Sequence, residues 1–255
     1  MAGADRDADR GGVPVNGYPI RSIHQVELTS RCNLRCRYCP SPNLKRPKVD
    51  MAENVFARCL ELALRCVVRG SQRELNLAGI GESTLHPRFA EYVARAREAL
   101  GFSVDLTMAT NGILITDELA RKLKPHRPRI WVSLHRPEKA GPAIMILKKH
   151  GLLAGVSADP SIAAINWAGQ VEWHTSHGEM TCAWIKTGRA FVMADGRIST
   201  CCLDASGAGV VGTVFDDLDK LRLRPYDLCE PCTYDLDPEV RTMMLTAKEV
   251  RRVAI

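Results

Sequence analysis

Short strand-like segments alternate with helical segments along most of this chain. Helical patterns occupy residues 51–69, 87–100, 117–123 and 138–150, and runs with strand character lie at residues 23–29, 74–78, 103–109, 130–134, 152–157 and 171–174. Such alternation requires right-handed crossovers and produces a parallel sheet. Six strands are too few to close an eight-stranded barrel. The sequence therefore predicts the α/β class and an open partial (β/α)6 barrel.

Polar motifs come directly after the predicted strands or at their ends. They are, in chain order, Arg31-Cys32, Gly81-Glu82, Thr110-Asn111-Gly112, Ser133 and His135. The carboxyl ends of parallel strands meet at one edge of the sheet, and ligands bind at that edge. We therefore expect these side chains to share one functional site.

The N-terminal segment is polar and lacks the apolar stretch of a secretory signal. We predict a disordered arm at residues 1–20, because its Asp, Arg and Gly residues bury little apolar surface. No later segment approaches 18 consecutive apolar residues, so we expect no membrane partner and a cytoplasmic location. The net charge of +6 over 255 residues is mild, and it tolerates an anionic substrate without requiring nucleic acid.

The chain has ten cysteines, and eight of them fall into two clusters. Disulfides are disfavoured in the cytoplasm, so clustered cysteines there indicate metal or redox chemistry. The other two, Cys59 and Cys66, stand seven residues apart on one face of a predicted helix. That spacing predicts inert thiols in the hydrophobic core.

The first cluster reads RCNLRCRYCP at residues 31–40, with the spacing C-x3-C-x2-C. Structural zinc needs four ligands, whereas three thiolates suit a four-iron, four-sulfur cluster with one open iron. A fragment of a zinc site is the alternative. The motif resembles the C-x3-C-x-aromatic-C motif of the radical S-adenosylmethionine (SAM) superfamily, with Tyr38 at the aromatic position. The resemblance implies that Cys32, Cys36 and Cys39 hold a [4Fe-4S] cluster.

Further motifs resemble this superfamily over residues 22–177. Gly81-Glu82 stands where the family has Gly-Gly-Glu, which binds the SAM amino group in relatives, and Ile80 replaces the first glycine. Asn111 and Ser133 match family positions near SAM, but they are also ordinary polar residues for a strand end.

The resemblance implies a SAM-binding set and a reaction type. The implied set is Tyr38, Gly81, Glu82, Asn111 and Ser133. An electron from the cluster would break a sulfur–carbon bond of SAM, and the 5′-deoxyadenosyl radical formed would take a hydrogen atom from the substrate.

After residue 178 the sequence pattern changes. β-prone runs flank Asp195-Gly196, which indicates a hairpin, and a short helix is expected at residues 216–223. We place the partial barrel at residues 21–178 and a small C-terminal domain at residues 179–255. Cys182 precedes Gly196 by 13 intervening residues, and a C-x2-C turn lies at residues 229–232. This spacing resembles the SPASM/twitch extensions of radical SAM enzymes, in the shorter twitch form.

The second cluster offers four ligands, enough to saturate one further [4Fe-4S] cluster. They are Cys182, Cys201, Cys229 and Cys232. Neighbouring residues of a strand point to opposite faces, so only one of Cys201 and Cys202 should reach a cluster, and the glycine spacing favours Cys201. A zinc knuckle with four cysteines is the alternative. A saturated cluster leaves no place for substrate, which favours electron transfer.

Three histidines stand at or beyond strand ends, and two of them, His135 and His174, are candidate catalytic bases. His177 is the third, and a polar rim position is the simpler interpretation of each. Three of the tryptophans, Trp167, Trp173 and Trp184, are interpreted as packing residues rather than a substrate platform.

Three functions compete. The first is a radical SAM oxidoreductase in which the second cluster accepts an electron. The second is a redox-neutral isomerase or rearranging enzyme, acting on a modified nucleoside or DNA base. The third is a non-enzymatic iron–sulfur or zinc module, against which the SAM motifs argue. The sequence leaves the substrate open among small molecules, peptides and nucleosides or DNA, and the family implies a reductant such as flavodoxin or ferredoxin.

Overall fold

The computed structural model describes residues 16–157, 167–172 and 181–244. Among these residues the helices are α1 (Glu53–Val68), α2 (Phe89–Leu100), α3 (Asp117–Leu123) and α4 (Pro137–His150), and residues 238–244 are also helical. The strands are β1 (Tyr18–Pro19), β2 (Ser22–Val26), β3 (Glu74–Asn76), β4 (Asp105–Thr110), β5 (Arg129–Ser133), β6 (Leu153–Ser157), β7 (Thr181–Cys182), β8 (Arg189–Val192), β9 (Arg197–Ser199), β10 (Val210–Thr213), β11 (Arg222–Leu223) and β12 (Asp235–Leu236).

One eight-stranded sheet organises the molecule, in the order β10-β9-β8-β2-β3-β4-β5-β6. The six strands from β8 to β6 in this order run parallel, and β9 and β10 are antiparallel additions. Each of the helices α1 to α4 connects two consecutive parallel strands, as a crossover must. The α/β class and the open, partial barrel are therefore confirmed, and the sheet is not closed within the described residues.

The sixth parallel strand differs from the prediction. Residues 171–172 form no strand, and residues 173–174 lie outside the described residues. The sixth parallel strand of the sheet is β8, which lies beside β2, with Ser22 opposite Arg189 and Val26 opposite Val192. Its residues 190–192 are fully buried, as suits a strand covered on both faces. The predicted hairpin at Asp195-Gly196 is formed by β8 and β9, so it continues the barrel sheet. The domain division at residue 178 stays a prediction.

The core lies between the helices and the sheet. The apolar face of α1 includes Phe56 and Leu62, both fully buried. Cys59 and Cys66 lie on the same face with 1% exposure, which confirms that they are core thiols. Burial raises the pKa of the Cys59 thiol to about 12. The same core takes in Val192 and Ile198 of the hairpin, so it spans both predicted domains.

A buried ion pair fixes the end of β2. The Glu27 side chain is fully buried, and its two carboxylate oxygens accept hydrogen bonds from Nη2 of Arg46 at 2.8 and 2.7 Å. The same carboxylate accepts from the backbone N–H groups of Ile80, at 2.9 Å, and Ala194, at 3.0 Å. Arg46 also donates to the carbonyl of Ala205. These bonds connect the segment after the first cysteine cluster with the C-terminal hairpin.

The described strands outside the eight-stranded sheet form two short pairs. Strand β1 pairs with β11, and β7 pairs with β12 in parallel. The helix predicted at residues 216–223 is wrong, because Asp216 lies in a bend, residues 218–220 form a turn and Arg222 already belongs to β11. None of the helices in the described ranges is both long and apolar enough to cross a membrane.

Candidate functional site

A cavity of about 340 Å³, the strand-end cavity, lies at the carboxyl ends of the parallel strands. Nine predicted site residues line it: Cys32, Cys36, Tyr38, Cys39, Gly81, Glu82, Asn111, Ser133 and His135. These residues lie at the ends of four different strands or just after them, and they come together at one edge of the sheet, as expected for this fold. The other candidate base, His174, lies outside the described residues.

The cysteine loop presents half-buried thiols to this cavity. The backbone N–H of Leu34 donates to Sγ of Cys32 at 3.4 Å, and that of Ser41 donates to Sγ of Cys39 at 3.5 Å. Burial raises the pKa of both thiols, that of Cys39 to about 11. They would therefore bind a metal with release of protons, and the N–H donors would stabilise the thiolates.

Gly81 packs directly on the backbone of the cysteine loop. A Cβ at this position would lie 2.2 Å from the carbonyl oxygen of Thr29 and 2.6 Å from that of Arg31. The next backbone N–H, that of Glu82, donates to the Arg31 carbonyl at 2.8 Å. Only glycine allows this approach, so Gly81 fixes the cysteine loop against the end of β3.

The Glu82 carboxylate joins two loops of the cavity. Its oxygens accept hydrogen bonds from the hydroxyl of Thr84 at 2.6 Å, the hydroxyl of Thr110 at 2.8 Å and the backbone N–H of Asn111 at 2.8 Å. The side chain of Asn111 in turn donates to Oδ1 of Asn33, next to Cys32, at 2.7 Å. Glu82 and Asn111 thus hold the ends of β3 and β4 to the cysteine loop, and a contact with SAM stays a prediction for both.

Tyr38 and His135 form a pair across the cavity. The Tyr38 hydroxyl and Nδ1 of His135 are 2.9 Å apart, and the two rings are stacked with centroids 5.7 Å apart. His135 follows β5, so this contact joins the cysteine loop to the far side of the sheet. Ser133, at the end of β5, lines the same wall.

Sequence reasoning missed several residues of the strand-end cavity. Ser41 lines it with a buried Oγ that has no hydrogen-bond partner among the described residues, and Ser157 and Trp167 line it as well. Ser157 ends β6, so the rule that found Ser133 could have found it too. Trp167 was interpreted as a packing residue, and no motif or periodicity marked it.

A second cavity, the four-cysteine cavity, lies in the C-terminal part of the chain. All four cysteines of the predicted set line it: Cys182, Cys201, Cys229 and Cys232. Its other walls are largely apolar or aromatic, among them Trp184, Ile185 and Leu236. Burial raises the pKa of Cys229 to about 12 and also raises those of Cys182 and Cys232.

Cys201 and Cys202 take different places. Cys201 lines the four-cysteine cavity, whereas Cys202 does not line it. The Cys202 thiol hydrogen-bonds to Cys201 and lowers the pKa of Cys201, while the pKa of Cys202 is raised. This arrangement favours Cys201 as the ligand.

In the described ranges, no three His, Cys, Asp or Glu side chains are grouped as one metal ion requires. This does not argue against an iron–sulfur cluster, because each thiolate binds a different iron atom of the cluster and the sulfur atoms do not surround one common ion.

The pattern of the radical SAM superfamily matches residues 26–182, more than half of the chain. The chain belongs to the radical SAM superfamily. The name of the family refers to radical chemistry that depends on SAM. The residues of the strand-end cavity fit what a radical SAM protein has to hold. They offer three thiols, two of them with N–H donors at sulfur, and beside them a hydroxyl without a partner in the part of the chain that the structure describes. When bound, a [4Fe-4S] cluster and SAM would supply reductive cleavage of SAM and a carbon radical.

Curated radical SAM relatives are similar over part of their length. A tungsten-containing aldehyde ferredoxin oxidoreductase cofactor-modifying protein from Pyrococcus furiosus is 37% identical over 98 residues, which are 38% of this chain and 26% of that protein. A GTP 3′,8-cyclase from Synechococcus sp. (strain CC9902) is 29% identical over 195 residues, 74% of this chain and 52% of the cyclase. The matches therefore cover about half or less of these radical SAM relatives.

Two solved structures share the fold. BtrN in complex with AdoMet and 2-DOIA has a TM-score of 0.65 at 19% identity, covering 77% of this chain and 79% of BtrN. The anSMEcpe protein with bound AdoMet has a TM-score of 0.56 at 15% identity, covering 80% of each chain. The shared fold thus extends over about four fifths of the chain.

Proposed function

We propose that this protein is a radical SAM oxidoreductase with a second [4Fe-4S] cluster on Cys182, Cys201, Cys229 and Cys232. The observation that carries the proposal is the four-cysteine cavity, in which these thiols line one buried, largely apolar space. Four thiolates saturate a cubane, and the chemistry that such a cluster supplies is one-electron transfer. In the proposed oxidation the substrate loses one hydrogen atom to the SAM-derived radical, then one electron and one proton.

The strand-end cavity would provide the binding and the proton acceptor. Cys32, Cys36 and Cys39 would hold the first cluster, and Glu82 and Asn111 would keep the adjoining loops in place for SAM. His135 is the proposed base among the described residues, because its Nδ1 is hydrogen-bonded to Tyr38 and its ring lines the cavity. An imidazole held in this way can accept a proton from a substrate in the cavity.

The wider setting follows from the same proposal. The first electron has to come from a reductant such as flavodoxin or ferredoxin. Ten free thiols suit the reducing cytoplasm. The proposal covers three substrate classes, which are small molecules, peptides, and nucleosides or DNA.

The experiment compares Cys229→Ala with Cys202→Ala in anaerobically reconstituted protein. Electron paramagnetic resonance of the reduced parent should show two [4Fe-4S] signals. Cys229→Ala should lose the second signal and still release 5′-deoxyadenosine from SAM, because cleavage belongs to the strand-end cavity. Cys202→Ala should keep both signals, since Cys202 does not line the four-cysteine cavity. A parent with one signal, or a Cys229→Ala variant with two, would refute the proposal.

Once a substrate is found, its product identifies the reaction. An oxidised product has two hydrogen atoms fewer than the substrate, and Cys229→Ala should form less of it per 5′-deoxyadenosine. An isomer of the substrate, formed equally well by the variant, would contradict the oxidoreductase proposal.

A redox-neutral reaction on a nucleotide is the second candidate. Similarity to GTP 3′,8-cyclases, at 29% identity over 195 residues for the Synechococcus protein, favours it. GTP is the direct probe: on this alternative it accelerates 5′-deoxyadenosine release by the parent and is converted. If GTP has no effect on the release, this candidate loses its support.

A further inference from the structure

The turn at residues 167–170 lies between the two cavities. Trp167 lines the strand-end cavity, and the next residue, Ala168, lines the four-cysteine cavity and is 2% exposed. Gly169 packs on the turn that carries Cys229 and Cys232, because a Cβ there would lie 2.8 Å from the Pro231 side chain. Two consecutive residues therefore form a wall shared by both cavities.

Gln170 fastens this turn to the loop after Cys201. Its Nε2 donates to the carbonyl of Trp167 and to that of Leu203, each at 2.7 Å. Its Oε1 accepts from the backbone N–H of Ala205 at 3.2 Å and from the Ser206 hydroxyl at 3.3 Å. We call residues 182–232, which contain the four cysteines of the second cavity, the C-terminal cysteine region. The four hydrogen bonds of the Gln170 side chain thus tie the position of Trp167 to this region.

The backbone of the turn is held in an unusual conformation. Trp167, Ala168 and Gly169 have φ angles of 50°, 55° and 77°, in the left-handed region. Bulky residues rarely occupy that region, and they stay there only where surrounding contacts enforce it. The contacts with Pro231 and with Leu203 to Ser206 are of this kind, and both come from the C-terminal cysteine region.

We propose that Trp167 is a positioning residue through which the C-terminal cysteine region shapes the strand-end cavity. The indole forms the wall against which the SAM-containing complex packs, and the 167–170 turn places that wall correctly only when the four-cysteine site is assembled. The proposal rests on the proposed function, since it takes both cavities as filled. Under this proposal the four-cysteine site contributes to the binding of SAM in addition to electron transfer.

The test uses reconstituted full-length protein labelled with 5-fluorotryptophan, with SAM as the probe. The chain has four tryptophans, so single Trp→Phe variants assign the fluorine resonances. We expect SAM to shift the Trp167 resonance, and Gln170→Glu and Gly169→Ala to displace it before SAM is added. Trp167→Ala and Gln170→Glu should weaken SAM binding about two- to tenfold, the range of one aromatic contact.

Two controls separate this effect from general damage. Gly141→Ala adds a Cβ where nothing lies within 4 Å, and Trp131→Phe changes a tryptophan that does not line the cavity; both should bind SAM like the parent. Loss of iron from the second site in Gly169→Ala would support the linkage. The proposal is overturned if SAM leaves the Trp167 resonance unmoved, or if Gln170→Glu keeps all its iron with unchanged resonance and affinity. A parent that binds no iron or cleaves no SAM would instead refute the proposed function.

Discussion

At the scale of single residues, Glu82 has one observed role and one predicted role. The family resemblance implies a contact with the SAM amino group. The structure adds four hydrogen-bond donors, which are the hydroxyl and backbone N–H of Thr84, the hydroxyl of Thr110 and the backbone N–H of Asn111. A carboxylate has about four lone-pair positions, so these donors and an ammonium group compete for the same oxygens. Removing the charge of Glu82 should therefore weaken both the hydrogen bonds that hold the loops and the binding of SAM.

Glu82→Gln should lower SAM affinity about ten- to a hundredfold, because a charge-assisted hydrogen bond contributes roughly 1.5–3 kcal/mol. Equilibrium binding of SAM to reconstituted protein measures it. Glu74→Gln is the matched control, since Glu74 accepts a similar hydrogen bond from Thr107 between the same two strands. If Glu82→Gln and the parent bind SAM with equal affinity, the charge of Glu82 does not contribute to SAM binding.

Cys59 makes stability depend on pH in the alkaline range. Its folded-state pKa of about 12 lies well above the ordinary value of a thiol, because the side chain is fully buried. Between these two values the folded chain holds a proton that the unfolded chain releases, so stability falls as pH rises. The loss should reach about 1–1.5 kcal/mol per thiol at pH 10. Denaturant unfolding of apo protein at pH 8 and pH 10 should show a smaller loss for Cys59→Ala than for the parent.

At the scale of elements, the cysteine loop depends on its packing against the end of β3. Gly81→Ala puts a Cβ 2.2 Å from the Thr29 carbonyl oxygen, and the backbone on both sides has to move. Overpacking of this kind costs about 1–3 kcal/mol, and the displaced loop should lose iron. Iron content and thermal unfolding measure both effects. Gly141→Ala in α4 has open space and should be neutral or slightly stabilising. Full iron content in Gly81→Ala would contradict this account of the loop.

The sequence predicts some elements well because their signals are local. Alternating patterns located β2 to β6 and α1 to α4. The strand-end rule and the cysteine motif together named nine residues that line one cavity. The sixth parallel strand depends on which distant segment pairs with β2, and no local pattern decides that. At residues 216–223 the Asp216 carboxylate binds Thr213, and Asp217 binds the N–H of Asp219, so side chains compete with a helix. Trp167 reaches the cavity through tertiary contacts alone.

At the scale of the whole molecule, the two cysteine sets should load independently with iron. Anaerobically reconstituted protein should hold about eight irons, as two four-iron clusters. The combined change of Cys32, Cys36 and Cys39 to Ala should leave about half of them, on the four-cysteine cavity. It should also abolish the slow release of 5′-deoxyadenosine that the reduced parent shows with SAM. Zinc as the sole metal in reconstituted protein would refute both cluster assignments.

Because β2 pairs with β8, the sheet can be completed at β2 only late in the synthesis of the chain. Glu27 and its hydrogen-bond partner Ala194 are 167 residues apart in the sequence. At about 5–20 residues per second, a ribosome needs roughly ten to thirty seconds between them. During that time β2 has an unpaired edge, and the Glu27–Arg46 pair lacks the hairpin that buries it. Nascent chains of this protein should therefore need protection from edge-to-edge association until the last third has emerged.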